Sequence, residues 1–141
     1  GFYVIPPDAD PACALEMVTR LQQGGIVAIM GDRAYGGQTL EVPFMGANAR
    51  FPASAFAVAR AAQRPVVALF VPKTGVRHYR LEAAGFEPPS RELRTSVRDG
   101  VRAFAGALEQ FASRHPLQCF LFADIWNGKE DTQAAPPNRE A

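Results

Sequence analysis

Residues 24–73, GGIVAIMGDRAYGGQTLEVPFMGANARFPASAFAVARAAQRPVVALFVPK, contain two apolar runs that bracket a charged loop. The first run, Ile26 to Met30, stops abruptly at Gly31-Asp32-Arg33, and two glycines, Gly36 and Gly37, follow. A short continuous apolar run reads as a buried strand. An α/β domain delivers charged groups at the carboxyl ends of such strands, where it places its ligands. Ala53 to Gln63 is rich in Ala and predicts a helix, with Pro52 suited to its first turn. The second apolar run, Pro65 to Val71, is closed by Pro72-Lys73. The order strand, site loop, helix, strand is that of a crossover unit in a parallel sheet. The expected fold class is therefore α/β, with a mixed, largely parallel sheet flanked by helices.

The rest of the chain extends this pattern. Phe2 to Ile5 is β-prone and stops at Pro6-Pro7. Asp10 offers a cap and Pro11 a first helical position. Leu15, Met17, Val18 and Leu21 then form an apolar face that ends at Gly24-Gly25, which predicts a helix of about three turns. Thr39 to Phe44 reads as a short strand or extended loop. Tyr79 to Ala83 reads as a strand able to pair with Pro65 to Val71 through a Lys73-Thr74-Gly75 turn, where Gly75 supplies a positive φ. Val97, Val101, Phe104, Leu108 and Phe111 recur at helical spacing, so a long amphipathic helix runs from about Arg91 to Ser113, after the break at Pro88-Pro89-Ser90. Arg94, Arg98, Arg102 and Glu109 fall on its solvent side. Cys119 to Phe122, with Trp126 close behind, predicts a last strand or a docking segment. Residues 128–141 lack apolar periodicity and read as a disordered tail.

At 141 residues the chain is one domain at most, large enough for a core but below the usual size of a two-lobed enzyme. A net charge of +1 gives no global reason to expect nucleic acid as a partner. Only Lys73 and Lys129 are lysines, so the cations are mostly Arg, the better bidentate partner for phosphate or carboxylate. A compositional preference for Arg and Ala explains the same bias equally well. Cys13 and Cys119 lack metal spacing and read as reduced, buried thiols of a cytosolic compartment. No run approaches the roughly 18 apolar residues of a membrane span, and no signal sequence opens the chain. There is no nucleophile elbow, zinc spacing, phosphate loop or dinucleotide fingerprint, so no cofactor or metal is expected.

Several local patterns point in one direction when taken in order: Gly24-Gly25, Asp32-Arg33, Phe44-Met45-Gly46, Phe51-Pro52, Arg64-Pro65-Val66-Val67, His78-Tyr79-Arg80-Leu81, then His115-Pro116-Leu117-Gln118-Cys119-Phe120 and Asp124-Ile125-Trp126. This series resembles the lysophospholipid acyltransferase superfamily, and within it the bacterial lipid A biosynthesis (lauroyl and myristoyl) acyltransferases. The last stretch is similar to that family's terminal P-x-Q-W segment. One departure matters: the family's catalytic His with an acid five positions later is absent, since His78 is followed at that distance by Ala83 and His115 by Phe120.

The resemblance implies that residues 1–127 are the C-terminal portion of an acyltransferase-like domain, part of a lysophospholipid acyltransferase-like fold, with no catalytic residue of its own. Its implied reaction moves a fatty acyl group from an acyl carrier protein or coenzyme A thioester to a lipid or glycolipid acceptor. The implied partners are that donor, that acceptor and an upstream N-terminal half of the same enzyme, with self-association where a sheet edge is left bare. The implied location is cytoplasmic, peripheral at the inner face of the bacterial inner membrane. The competing reading is a non-catalytic acyltransferase-like module that binds an acidic lipid or a carrier protein.

The residues expected to bind the acceptor are Gly31, Asp32, Arg33, Gly36, Gly37, Arg50 and Lys73. Arg33 would pair a phosphate or sugar oxygen and Asp32 would accept from hydroxyls. Spacing alone favours a turn in which Asp32 caps backbone amides; the resemblance favours the pocket. Gly36 and Gly37 would let backbone amides approach a ligand, or simply form a tight turn. Arg50 and Lys73 would face the same edge, or be solvated end residues. His78 has no acid near it in sequence, and His115 suits the carbonyl end of a helix. Trp126 and the Phe120-Phe122 cluster read as core rather than as an acyl slot.

Overall fold

A computed structural model describes residues 11–33, 37–86, 95–119, 121 and 124–126. The expectations for Phe2 to Ile5, the Asp10 cap, Gly36, the Pro88-Pro89-Ser90 break, the Phe120-Phe122 cluster and the tail lie outside the described residues. Among the described residues there are three helices, α1 (Pro11–Gln22), α2 (Ser54–Ala62) and α3 (Thr95–Arg114), with strands β1 (Thr39–Phe44) and β2 (Ala47–Pro52) after α1 and β3 (Val66–Phe70), β4 (Lys73–Gly75), β5 (His78–Tyr79) and β6 (Glu82–Phe86) after α2.

The strands form three antiparallel pairs, β1–β2, β3–β6 and β4–β5, and no parallel ladder occurs among the described residues. This corrects the expectation of a largely parallel sheet, and chain geometry supplies the reason. Parallel neighbours need a crossover of about a dozen residues or more, whereas β1 and β2 are joined by Met45-Gly46 alone, with Phe44 opposite Ala47. Both turn residues have positive φ, 52° and 83°, the backbone of a two-residue hairpin turn. Between β3 and β6 the chain folds back through the β4–β5 hairpin, and Phe70 pairs with Glu82.

The expected strand at Ile26 to Met30 has no ladder partner among the described residues, and Ile26 is 96% exposed. A strand exists through its pairing, and the only described ladder of β3 is to β6. Lys73 to Gly75 is itself a strand, not the turn: the reversal falls at Val76-Arg77, and the positive φ (61°) belongs to Arg77 instead of Gly75. The expected strand at Tyr79 to Ala83 is split, Tyr79 pairing in β5 and Glu82 and Ala83 in β6. Pro52 ends β2 and does not open α2, whose cap is Ala53.

The core lies between α3 and the inward face of β1–β2. Alternation along the hairpin turns Val42, Phe44, Ala49 and Phe51 inward, while α3 supplies Val101, Ala105, Leu108 and Phe111 at helical spacing. Fully burying such side chains contributes about 1.5 to 3 kcal/mol each. The rings meet edge to face or stacked: Phe44 lies 5.2 Å from Phe51, and Phe70 lies 5.0 Å from Phe111. Such geometry adds to what area burial alone provides.

Helix α1 docks on α2. Arg64 holds the junction, donating from Nε to the Leu21 carbonyl at 3.1 Å and so satisfying the end of α1 beside Gly24, whose φ is 85°. Met17, Val18 and Leu21 are half-buried, but Leu15 of the expected apolar face is exposed. After α3 the chain docks Ile125 in the core, where its carbonyl accepts from the Arg50 backbone N–H at 2.8 Å. Trp126 stacks on Phe44 at 5.9 Å.

Candidate functional site

The inner side of β3, the underside of α2 and the middle of α3 leave an apolar groove of about 480 Å³, floored by Phe56, Phe70, Phe104, Leu108 and Phe111. This lies within the usual span for small-molecule sites, roughly 300 to 1,000 Å³. Val27 to Asp32 runs along its rim. The unpaired segment that sequence reading made a strand is thus a wall of the groove. Few polar groups reach it: Asp32 at the end of that wall, and Gln118 and Cys119 just past α3.

Gly31 and Asp32 line the groove. A Cβ at Gly31 would sit 2.7 Å from Cζ of Phe104, so only glycine lets the chain pass this closely over the α3 ring. Arg33 is half-buried beside them, its Nε 3.9 Å from Oδ2 of Asp32, a loose ion pair between sequence neighbours. Three expected site residues therefore come together. Gly37 is exposed, and nothing lies within 4 Å of a Cβ added there.

Arg50 and Lys73 stand elsewhere, so the expectation that they share this edge is not met. Arg50 lies on β2, where its Nε donates to Oε1 of Glu41 across the ladder at 3.4 Å. Lys73 opens the β4–β5 hairpin.

The groove includes residues that sequence reasoning did not assign to a site. Cys119 and Gln118 belong to the stretch after Pro116, which carried the family resemblance and was the available signal. Both cysteines are free and half-buried, less enclosed than expected. Burial first, and the Asp32 carboxylate second, push the Cys119 thiol above its ordinary range. The thiol is thus protonated near neutral pH, a small apolar group with a weak donor.

His78 is exposed on β5. His115 is half-buried against Phe111, with ring centroids 5.0 Å apart. It has an acid that its neighbours in sequence did not announce, since its Nε2 lies 3.5 Å from Oε1 of Glu82 on β6. The same carboxylate accepts from Arg114 at 2.8 Å. Arg114 and His115 at the end of α3 share one acid and tie that helix end to β6, and the Arg114 cation also complements the helix dipole. Among the described residues no group of three His, Cys, Asp or Glu side chains is placed to hold a metal, and no helix is long and apolar enough to cross a membrane.

The groove therefore offers an apolar trough with the Asp32 carboxylate at one rim, and Arg33 follows it in the chain. Neither a curated protein nor a solved structure matches the chain. The family model described as bacterial lipid A biosynthesis acyltransferase matches residues 1–127. The chain belongs to the bacterial lipid A biosynthesis acyltransferase family, and its general function is acyltransferase-like.

Proposed function

We propose that this chain forms the lipid-binding wall of an acyltransferase that moves a fatty acyl group from an acyl carrier protein or coenzyme A thioester to a hydroxyl or amine of a lipid or glycolipid, working peripherally at the inner face of the bacterial inner membrane. The observation that carries the reading is the position of Asp32 at the rim of an otherwise apolar groove, with Arg33 next to it in the chain. An alkyl chain loses water against Phe70, Phe104 and Phe111. At the rim, Asp32 accepts from an acceptor hydroxyl and Arg33 meets a phosphate or sugar oxygen.

Removing the acceptor proton during attack on the thioester carbonyl requires a base. His78 is exposed away from the groove, and His115 is engaged by Glu82 and Phe111. In this reading the base comes from polypeptide beyond these 141 residues.

The purified chain, incubated with acyl thioester and mixed lipid acceptors, is expected to show no turnover. Turnover that disappears in His78→Ala or His115→Ala would overturn the division of labour. A fluorescent long-chain fatty acid should nonetheless bind. Met30→Asp, on the exposed part of the groove wall, should weaken that binding by on the order of tenfold or more, since a carboxylate cannot be desolvated there without a partner. Unchanged binding in Met30→Asp would remove the groove from the proposal.

A further inference from the structure

We infer that the β4–β5 hairpin is a docking tip for an anionic membrane surface. This deepens the membrane-surface part of the proposed function and rests on it. At the tip, Val76 is 83% exposed, and Leu117, beside it after α3, is 87% exposed. Val71, Tyr79 and Leu81 are more than half exposed in the same region. Val71, Val76, Tyr79 and Leu117 surround one shallow open depression of about 800 Å³, with Lys73 on its edge. Isolated exposed apolar residues are ordinary, but a cluster of them is a contact surface.

Charge selects the occupant. Lys73, Arg77 and Arg80 are all exposed on the hairpin, and the chain carries no Asp or Glu from Val42 through Leu81. The nearest acid that follows, Glu82, is already engaged by Arg114 and His115. Apolar side chains interleaved with cations and a tyrosine match the boundary between acyl chains and negatively charged headgroups. There Lys and Arg extend to the phosphates while their stems stay with the apolar groups. A protein partner is a poorer fit, because stable protein interfaces engage roughly 20 to 30 residues a side and the tip is one short hairpin.

The tip is also held rigidly. Pro72 is fully buried at its base, and its carbonyl accepts from the Arg80 N–H at 2.9 Å. The Gln118 side chain grips Lys73 on both sides, its Oε1 accepting from the Lys73 N–H at 2.6 Å and its Nε2 donating to the Lys73 carbonyl at 3.1 Å. Arg77 occupies a turn position with φ of 61°, where a residue with a Cβ is strained, so the fold holds a cation at the apex in place of the relaxed glycine.

Co-sedimentation of the chain with phosphatidylglycerol-containing and with pure phosphatidylcholine vesicles tests the assignment. Binding should be confined to the anionic vesicles and weaken with added salt. Each basic side chain should contribute on the order of fivefold, so the double variant Arg77→Glu, Arg80→Glu should bind more than twentyfold less tightly, and Val76→Asp should bind as poorly. All three changes lie on exposed positions, and an unchanged melting temperature verifies folding. As a second readout, an environment-sensitive fluorophore on Val76→Cys should shift to the blue on anionic vesicles. Equal binding to neutral vesicles would overturn the inference. So would hairpin variants that bind normally while Val67→Asp does not, which would move membrane contact to the β3 face and leave the proposed function standing. Absence of vesicle binding with hairpin-dependent capture of an acyl carrier protein would overturn it as well.

Discussion

Asp32 and Cys119 come from distant parts of the chain and share one wall of the groove, so each reports on the other. The carboxylate raises the thiol's pKa less than burial does. Asp32→Asn should therefore move the pH midpoint of Cys119 alkylation downward by part of the full displacement, and unfolding the chain should move it further. An unmoved midpoint in Asp32→Asn would mean that the two do not face each other. The same displacement links to stability. A thiol that ionises less readily when folded contributes fully below the unfolded thiol's pKa, about 8.5, and that contribution is lost as pH rises through the folded value. Urea midpoints should thus fall as pH rises above about 8.5, with a gentler slope in Cys119→Ala. At this scale the sequence was readable where a residue's surroundings are local. Asp32 and Arg33 were singled out from their place after an apolar run, whereas Cys119 was taken for core and Glu82 was not connected to His115. A partner brought in by tertiary contact, such as Glu82 on β6, leaves no mark in the residues around the histidine.

Helix α3 was legible because its apolar residues repeat at one angular interval over twenty residues. Its two glycines provide a matched test. A Cβ at Gly106 meets nothing within 4 Å, so Gly106→Ala should stabilise the chain by up to about 1 kcal/mol through helix propensity alone. At Gly100 the same methyl would overlap the buried ring of Phe56. Overpacking costs roughly 1 to 3 kcal/mol, enough to outweigh the propensity gain, so Gly100→Ala should lower the melting temperature. Calorimetry on both variants decides it, and shifts of the same sign would mean that α2 and α3 do not meet as described. Strand β2 escaped sequence reading for a different reason. Ala47-Asn48-Ala49-Arg50-Phe51-Pro52 has no β-branched residue, and what makes it a strand is Ala49 and Phe51 packing under α3. Strand preference of this kind comes from the surface a segment is laid against. The positive φ of Met45 was equally hidden, because methionine is not a residue that signals a hairpin turn.

For the molecule as a whole, the parallel expectation came from the order apolar run, loop, helix, apolar run, with Pro65 to Val71 read as the second strand of a crossover unit. The structure covers one side: Val67 and Leu69 are 56% and 58% exposed. Together with Met30, which lines the same groove, they make an apolar surface that water disfavours. Sedimentation velocity over a concentration series should show the 141-residue chain self-associating, and Val67→Lys with Leu69→Lys should return it to monomer. A monomer at every concentration in the parent chain would mean that this face is tolerated as it stands. The series of local motifs thus reached the family, but not which strands pair, because pairing is decided by turn length and by what covers each face. Gln118 has a further role at this scale, since it lines the groove and also grips the hairpin. Through that shared side chain the hairpin and the groove form one lever. In the proposed membrane docking, a tip seated at a given depth would set the mouth of the groove at a fixed height and tilt above the lipid plane, and this one amide side chain would be the gauge for how far an alkyl chain must rise to enter.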